Sequence, residues 1–420
     1  MSTKPASPAG TGTKPASPAG TGWSVERAEE HLLGLELFGM RFGLERMRRL
    51  LTALGSPQER FSAIHVVGTN GKSSTVRMTA ALLEAHGVRA GAFLSPHLTS
   101  FTERIRIADE DLAPDALGAA VQRAAAAAAK VDRGLEPGDR VTQFELITAA
   151  AFDELARRGV EVAVVEAGLG GRHDATGVLR APIVVLTNVG LEHTRWLGPT
   201  VADIAREKLA VVSAEAVLVL GDATPEVDAL ARATGARIVR PEPERAALPG
   251  YQRTNFAVAC AAAREQLGAL DAALVDRVGA GLTVPGRLQV VAERPFTVLD
   301  GAHNPSGVQA LAAALPERPF VGVVSILEDK DAAAMLRALL ARCATLVCTA
   351  APNPRALPPA TLASLVQQLG ASAEIVPDPR AAVARAQALA GPDGAVVATG
   401  SIYLIAELVS APGRRRASAL

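Results

Sequence analysis

Two stretches of this 420-residue chain, "VEVAVVEAG" (160–168) and "APIVVLTN" (181–188), are apolar at nearly every position rather than at every second one. A strand that reads this way is buried on both faces, and its usual setting is a parallel sheet covered by helices above and below. Shorter runs of the same kind, "AIHVV" (63–67) and "VRAGAFL" (88–94), alternate with helical periodicity. The spacing predicts a helix from Ser73 to His86 stopped by Gly87, one through the alanine patch Ala124–Ala129, and one from Thr142 to Arg158 closed by Gly159. The alternation runs to about residue 280 and restarts with "FTVLDGAH" (296–303), "FVGVVSIL" (320–327), "ATLVCTA" (344–350) and "GAVVATGS" (394–401). Two successive sets of strand–helix units predict two doubly wound α/β domains. Their join falls near "TVPGR" (283–287), where proline and glycine interrupt the pattern. Upstream, "TKPASPAGTG" at 3–12 recurs letter for letter at 13–22 and holds nothing apolar enough to pack. Residues 1–22 are therefore expected to be a disordered tail, 23–283 the first domain and 284–420 the second.

Composition narrows the function. Aromatic residues make up only 3% of a chain that is 49% hydrophobic, so alanine, valine and leucine must fill the cores. Forty-three basic residues balance 43 acidic ones, which argues against a dedicated nucleic-acid or anionic-membrane surface. The three cysteines, Cys260, Cys343 and Cys348, lack zinc or disulfide spacing and read as reduced thiols. There is no membrane-length apolar run and no signal-peptide layout at the start, so the expectation is a soluble, cytoplasmic protein.

The chemistry begins at "HVVGTNGKSSTV" (65–76). The common phosphate loop, G-x-x-x-x-G-K-[ST], counted back from Gly71-Lys72, needs glycine at position 66. Val66 stands there, and the nearest glycine is Gly68, so the loop is two residues short. It nevertheless follows a buried strand and precedes a helix, where backbone N–H groups and the helix dipole favour a phosphate. Lys72 would reach terminal phosphates, and Ser73 or Ser74 could offer a hydroxyl. On the short pattern alone, a tight turn that happens to hold Gly, Asn and Lys remains a live alternative. Other strand ends add weight, because ligands of open α/β sheets bind there. Ser95, Glu166, Asn188 and His193 each follow a predicted strand. Hydroxyl and carboxylate are ordinary Mg²⁺ partners, and histidine a less usual one. Singly, Glu166 could be salt-bridged to Arg172 and His193 a satisfied loop histidine.

Nine segments, in order, resemble the motif set of the folylpolyglutamate synthase/dihydrofolate synthase family, within the Mur ligase superfamily. They are "GTNGKSS", "SPHLTSFTERIRI", "TQFELIT", "EAGLGGRHDAT", "TNVGLEHTRWLG", "IAREK", "PGRLQVV", "DGAHNPSG" and "TGSIYL". The resemblance covers Trp23 to about Val409. It implies a P-loop-containing, doubly wound Mur-ligase-type central domain followed by a smaller Rossmann-like α/β domain. Gly68, Thr69, Asn70, Gly71, Lys72, Ser73 and Ser74 would cradle ATP, with Asn255, Arg287, Asp300 and His303 as further ATP contacts. Ser95, Glu166 and His193 match magnesium positions. Lys208 matches a lysine that the family carries as a carbamate binding a second metal. Lys72, His193 and Lys208 would carry catalysis. Arg41, Phe42, Gly43, Thr142, Gln143, Phe144, His173, Asp174 and Ala175 match the lining of the pterin site in bacterial bifunctional members. Carbamylation needs a neutral amine, so burial or nearby cations must first lower the Lys208 pKa. Without the resemblance, Lys208 would read as an exposed helical lysine.

The sequence departs from the family pattern at three places: Lys-Ser-Ser in the loop, "EKLAVV" in place of EKAGI, and His173 in "GGRHDAT". None removes a proposed ligand. The resemblance implies that ATP phosphorylates a carboxylate and that the amine of L-glutamate displaces the phosphate. The expected substrates are ATP, L-glutamate, dihydropteroate and reduced folates, handled by a monomer. A folylpolyglutamate synthase without the dihydrofolate synthase activity is the close alternative. A peptidoglycan Mur ligase, with its further N-terminal domain, and a nucleotide-binding regulator without catalysis are the more distant ones.

Overall fold

The computed structural model describes residues 22–36, 43–243 and 248–411. The duplicated N-terminal segment 1–21, together with Arg41 and Phe42, lies outside the described residues.

The first sheet has eight strands: β1 (Ser62–Val67), β2 (Ala90–Phe93), β3 (Ile105–Ile107), β4 (Glu110–Asp111), β5 (Val162–Glu166), β6 (Ile183–Leu186), β7 (Val217–Leu220) and β8 (Arg237–Val239). Their order is β4-β3-β2-β5-β1-β6-β7-β8. The six strands from β2 to β8 in that row run parallel, and β3 and β4 add an antiparallel edge. As the unbroken apolar runs require, β2, β5 and β6 are buried along their whole length. β1 lies in the middle of the sheet, so its carboxyl end, where the short glycine loop begins, opens between β5 and β6.

The helix after the loop, Lys72–Ala85, starts from Gly71 in the left-handed region and ends just before Gly87, also left-handed. Val76, Met78, Ala80, Leu82 and Leu83 bury its inner face, and it packs on the helix Gly250–Leu267. That partner brings Asn255 against Gly71, where a Cβ would lie 2.5 Å from the Asn255 Oδ1. Only glycine fits both the backbone and the space there.

After the helix Ala272–Gly281 the chain enters a second sheet. It comprises β9 (Gln289–Glu293), β10 (Phe296–Leu299), β11 (Phe320–Val324), β12 (Cys343–Cys348), β13 (Ser372–Ile375) and β14 (Ala395–Thr399), ordered β13-β12-β11-β14-β10-β9. All pairs are parallel except β9 against β10. Two core clusters fill the first half and two the second. Among the described residues no helix is long and apolar enough to cross a membrane.

Six strands match no run singled out in the sequence: β7 and β8 fall within the alternation read only in general to about residue 280, and β3, β4, β9 and β13 were not read at all. These last four lie at or next to a sheet edge, and β4 is wholly exposed while β9 and β13 are only partly covered. They carry no continuous apolar run to reveal them.

Candidate active site

The carboxyl ends of β1, β5 and β6 meet the turn that follows β10, and the cleft between them encloses about 340 Å³, within the range of small-molecule sites. It is lined by the whole loop Gly68–Ser74 together with Ser95, Glu166, His193 and Lys208 from the first half and Arg287, Asp300 and His303 from the second.

The loop is shaped by its neighbours as much as by its glycines. Gly68 has φ of +152°, and a Cβ there would lie 1.9 Å from the Thr187 Oγ1. Thr187 in turn donates its hydroxyl to the Asn70 carbonyl at 2.7 Å. The Thr69 N–H donates to the Asn188 carbonyl and the Asn70 N–H to the Asn188 Oδ1, both at 2.9 Å. The residues after β6 thus hold the loop open, with Lys72 on its inner side donating to the Thr69 carbonyl at 3.2 Å.

Glu166, at the end of β5, is 1% exposed. It accepts from the Ser73 hydroxyl at 2.9 Å and the Ser95 N–H at 3.0 Å. Burial pushes its carboxyl upward, opposed by Lys72, the two hydrogen bonds and Arg287. Ser74 is buried below, and its Oγ has no hydrogen-bond partner among the described residues. Of the two serines, Ser73 is the one that faces the carboxylate.

His193 sits at φ +52°, a left-handed position that turns its ring into the cleft mouth. The ring is open to the cleft, yet crowding by protein lowers it to about 4, with Glu192 opposing and Lys330 and Lys72 reinforcing. The direction matters: a neutral imidazole is the form that binds a metal. Lys208 is not the exposed helical lysine of the plain sequence reading. It is 4% exposed, donates to the Gly68 carbonyl at 2.7 Å, and is lowered to about 7 by burial, with Lys72 adding to the shift. Glu166 likewise has no bond to Arg172, which pairs with Glu207 instead.

The Glu166 carboxylate and the Ser73 and Ser95 hydroxyls are oxygen donors of the kind a divalent cation takes, and they line the same cleft as His193 and Lys208. Among the described residues no group of three or more His, Cys, Asp and Glu side chains could hold a metal unaided.

The second half supplies Arg287, Asp300 and His303. Asp300 is 1% exposed and already accepts from the Tyr251 hydroxyl, from the Leu288 N–H and from the Ala302 N–H. The two halves are tied by amides: Asn304 donates to the Asn70 Oδ1 at 2.9 Å, and Asn70 donates to the Ser306 Oγ at 3.0 Å.

Of the described residues matched to a pterin site, none lines this cleft, and several are occupied structurally. Thr142 caps the helix Gln143–Arg157 in a reciprocal box with Glu145. Gln143 donates to the Leu32 carbonyl at 2.8 Å. Asp174 is buried, accepting from the Leu169 N–H and from Thr176, and it caps the short turn Ala175–Val178. Phe144 lies against Gly168, His173 is exposed, and Gly43 precedes the helix Glu45–Ala53. Sequence reasoning did not single out Thr187, Glu192, Tyr251, Asn304, Ser306 or Lys330. Thr187, Glu192, Asn304 and Ser306 stand inside quoted motifs, whereas Tyr251 and Lys330 carried no signal.

Comparison with known proteins gives the following. Residues 66–247 match the Mur ligase middle domain and residues 286–402 the Mur ligase glutamate ligase domain. A dihydrofolate synthase/folylpolyglutamate synthase of Mycobacterium tuberculosis is 34% identical over 382 residues, covering 78% of each chain. A probable bifunctional folylpolyglutamate synthase/dihydropteroate synthase of Haloferax volcanii is 36% identical over 418 residues, 90% of this chain. This chain spans about half, 49%, of that longer relative. Among solved structures, Mycobacterium tuberculosis folylpolyglutamate synthase complexed with ADP superposes with a TM-score of 0.86 at 31% identity, covering 93% of this chain and 99% of that one. E. coli FolC in complex with DHPP and ADP gives 0.82 at 29% identity, covering 92% and 96%. A bifunctional folylpolyglutamate synthase/dihydrofolate synthase with Mn, AMPPNP and L-glutamate bound gives 0.80 at 28%, covering 92% and 97%.

Proposed function

This chain belongs to the folylpolyglutamate synthase/dihydrofolate synthase family of Mur ligases, and on that premise we propose that it is an ATP-dependent ligase joining the amine of L-glutamate to the carboxylate of dihydropteroate and of reduced folates. One observation carries the reading: the phosphate loop, Glu166, His193 and a buried Lys208 converge in one cleft that the second half completes with Arg287, Asp300 and His303.

The chemistry follows from the acceptor. A carboxylate is a poor acyl donor because its leaving group would be oxide. Transfer of the γ-phosphoryl group of ATP to one carboxylate oxygen makes an acyl phosphate. The neutral amine of L-glutamate then attacks the acyl carbon, the C–O bond to phosphate breaks, and amide, ADP and phosphate result. Lys72 and the N–H groups at the start of the helix that follows the loop take up charge on the phosphoryl oxygens as it moves. Ser73, Ser95 and Glu166 would hold Mg²⁺, which neutralises phosphate charge when bound, and His193 with a carbamate on Lys208 would hold a second cation. Arg287, Asp300 and His303 approach from the second half and exclude water that would hydrolyse the acyl phosphate. The pterin end would lie along Phe144, His173, Asp174 and Ala175, with Thr142 and Gln143 shaping the wall.

The test is incorporation of labelled L-glutamate with ATP, run separately with dihydropteroate and tetrahydrofolate. Product with both acceptors is expected. Product with tetrahydrofolate alone reduces the enzyme to a folylpolyglutamate synthase, and ADP formation with neither acceptor sinks the folate reading.

A further inference from the structure

We propose that Glu192 is a positioning residue: it clasps the two halves of the chain across the cleft and fixes how His303 is turned into it. The consequence for nucleotide binding rests on the function proposed above; the clasp itself does not.

Glu192 sits in the turn after β6, immediately before His193. Its side chain is 7% exposed, and both of its partners come from the second half. The His303 Nε2 lies 3.0 Å away, in the turn after β10, and the Lys330 Nζ lies 3.5 Å away, in the turn after β11. The other ring nitrogen of His303, Nδ1, is 2.9 Å from the Gly301 carbonyl. With an oxygen acceptor at each ring nitrogen, the orientation of His303 is fixed at both ends while one edge stays open to the cleft. Lys330 is pinned in turn: its Nζ lies 3.3 Å from the Asp329 Oδ2, whose other oxygen is 3.6 Å from the Arg355 guanidinium.

The result is a line of ion pairs, Arg355–Asp329–Lys330–Glu192, that crosses the join at one carboxylate and ends on His303. The Glu192 and Lys330 side chains are largely shielded from water, at 7% and 10% exposure, while His303 is 32% exposed. Removing the Glu192 charge leaves the shielded Lys330 ammonium without its partner across the join. The other polar ties across the join include Asn70 with Asn304 and Ser306, which are neutral, and the Tyr251 hydroxyl on Asp300. Without the clasp, His303 loses its fixed orientation and the turn that carries it is held less firmly against the phosphate loop.

The experiment uses the full chain and three variants: Glu192→Gln, Lys330→Met and the double change. Mg²⁺-ADP affinity is measured by calorimetry, thermal stability by fluorescence and overall dimensions by small-angle scattering. Glu192→Gln should weaken Mg²⁺-ADP binding about tenfold or more and enlarge the radius of gyration, with the midpoint of unfolding little changed. The double variant should be no weaker than Glu192→Gln alone, since both remove the same tie. Glu192→Asp, which keeps the charge, should recover much of the affinity. Wild-type affinity and dimensions in Glu192→Gln would overturn the proposal, and so would losses that simply add in the double variant. If the parent protein itself bound no ADP, the nucleotide reading would fail, and scattering alone would then decide the clasp.

Discussion

Lys208 shows how far a single position can depart from its local sequence. In "IAREKLA" it reads as one more helical charge, yet it is 4% exposed with its amine 2.7 Å from the Gly68 carbonyl. Burial lowers it to about 7, so the neutral amine, the only form that reacts with CO₂, predominates above that pH and the ammonium below it. A carbamate formed with ¹³C-labelled bicarbonate should therefore grow as pH rises from about 6 to about 8, read as a new carbonyl signal by NMR that Lys208→Ala lacks. No such signal at the upper end with Mg²⁺ present would remove the carbamate from the mechanism. The same reasoning gives a functional expectation: Lys208→Ala should lose most ligase activity, and added short carboxylic acids should restore part of it by supplying the missing oxygens. Full activity in the unrescued variant would show that no ligand is needed there.

At the level of elements, burial decided what the sequence made legible. β5 and β6 announced themselves because strands covered on both faces cannot alternate, and the helix after the loop because glycines bracket it. β9 remained hidden because Val290 and Val291 are both about half exposed and the pairing partner, not the pattern, makes it a strand. Motif matching also blurred two roles at Thr142. Its hydroxyl accepts from the Glu145 N–H at 3.3 Å, while the Glu145 carboxylate accepts from the Thr142 N–H at 2.9 Å and holds Arg46. Thr142→Ala should thus cost about 1 kcal/mol of stability, measured by urea unfolding, whatever the substrate does. If capping is its whole role, KM for dihydropteroate stays within about twofold; a much larger rise would mean that Thr142 also touches the pterin. The site's long-range partners were beyond any local pattern: Asn70 and Asn304 are 234 residues apart, and Glu192 and Lys330 are 138 apart. Only a resemblance that spans the whole chain could place Arg287, Asp300 and His303 beside the loop, and it did so without saying what holds them there.

Taken whole, the molecule is two α/β bodies with separate cores, joined through residues 282–288. They touch through polar groups at the cleft, through the helix Gly250–Leu267 packed on the helix Pro305–Ala314, where Gly250 meets Ala314, and through Leu98, which packs on the cluster that holds Tyr403 and Ile405. Interfaces of this kind permit relative motion, whereas cores of this kind unfold cooperatively, each on its own. A bound nucleotide would bridge the halves, because its proposed contacts come from both sides: Gly68–Ser74 and Asn255 from the first half, Arg287, Asp300 and His303 from the second. Calorimetry without ligand should accordingly resolve two unfolding steps. With Mg²⁺-ADP at about a hundred times its dissociation constant, mass action adds about 2.7 kcal/mol to whatever must open to release it. If the ligand bridges the halves, that increment falls on both steps and draws them into a single transition at higher temperature. If it is held by the first half alone, only one step moves and the other stays where it was, and the second half would then have no part in binding the nucleotide.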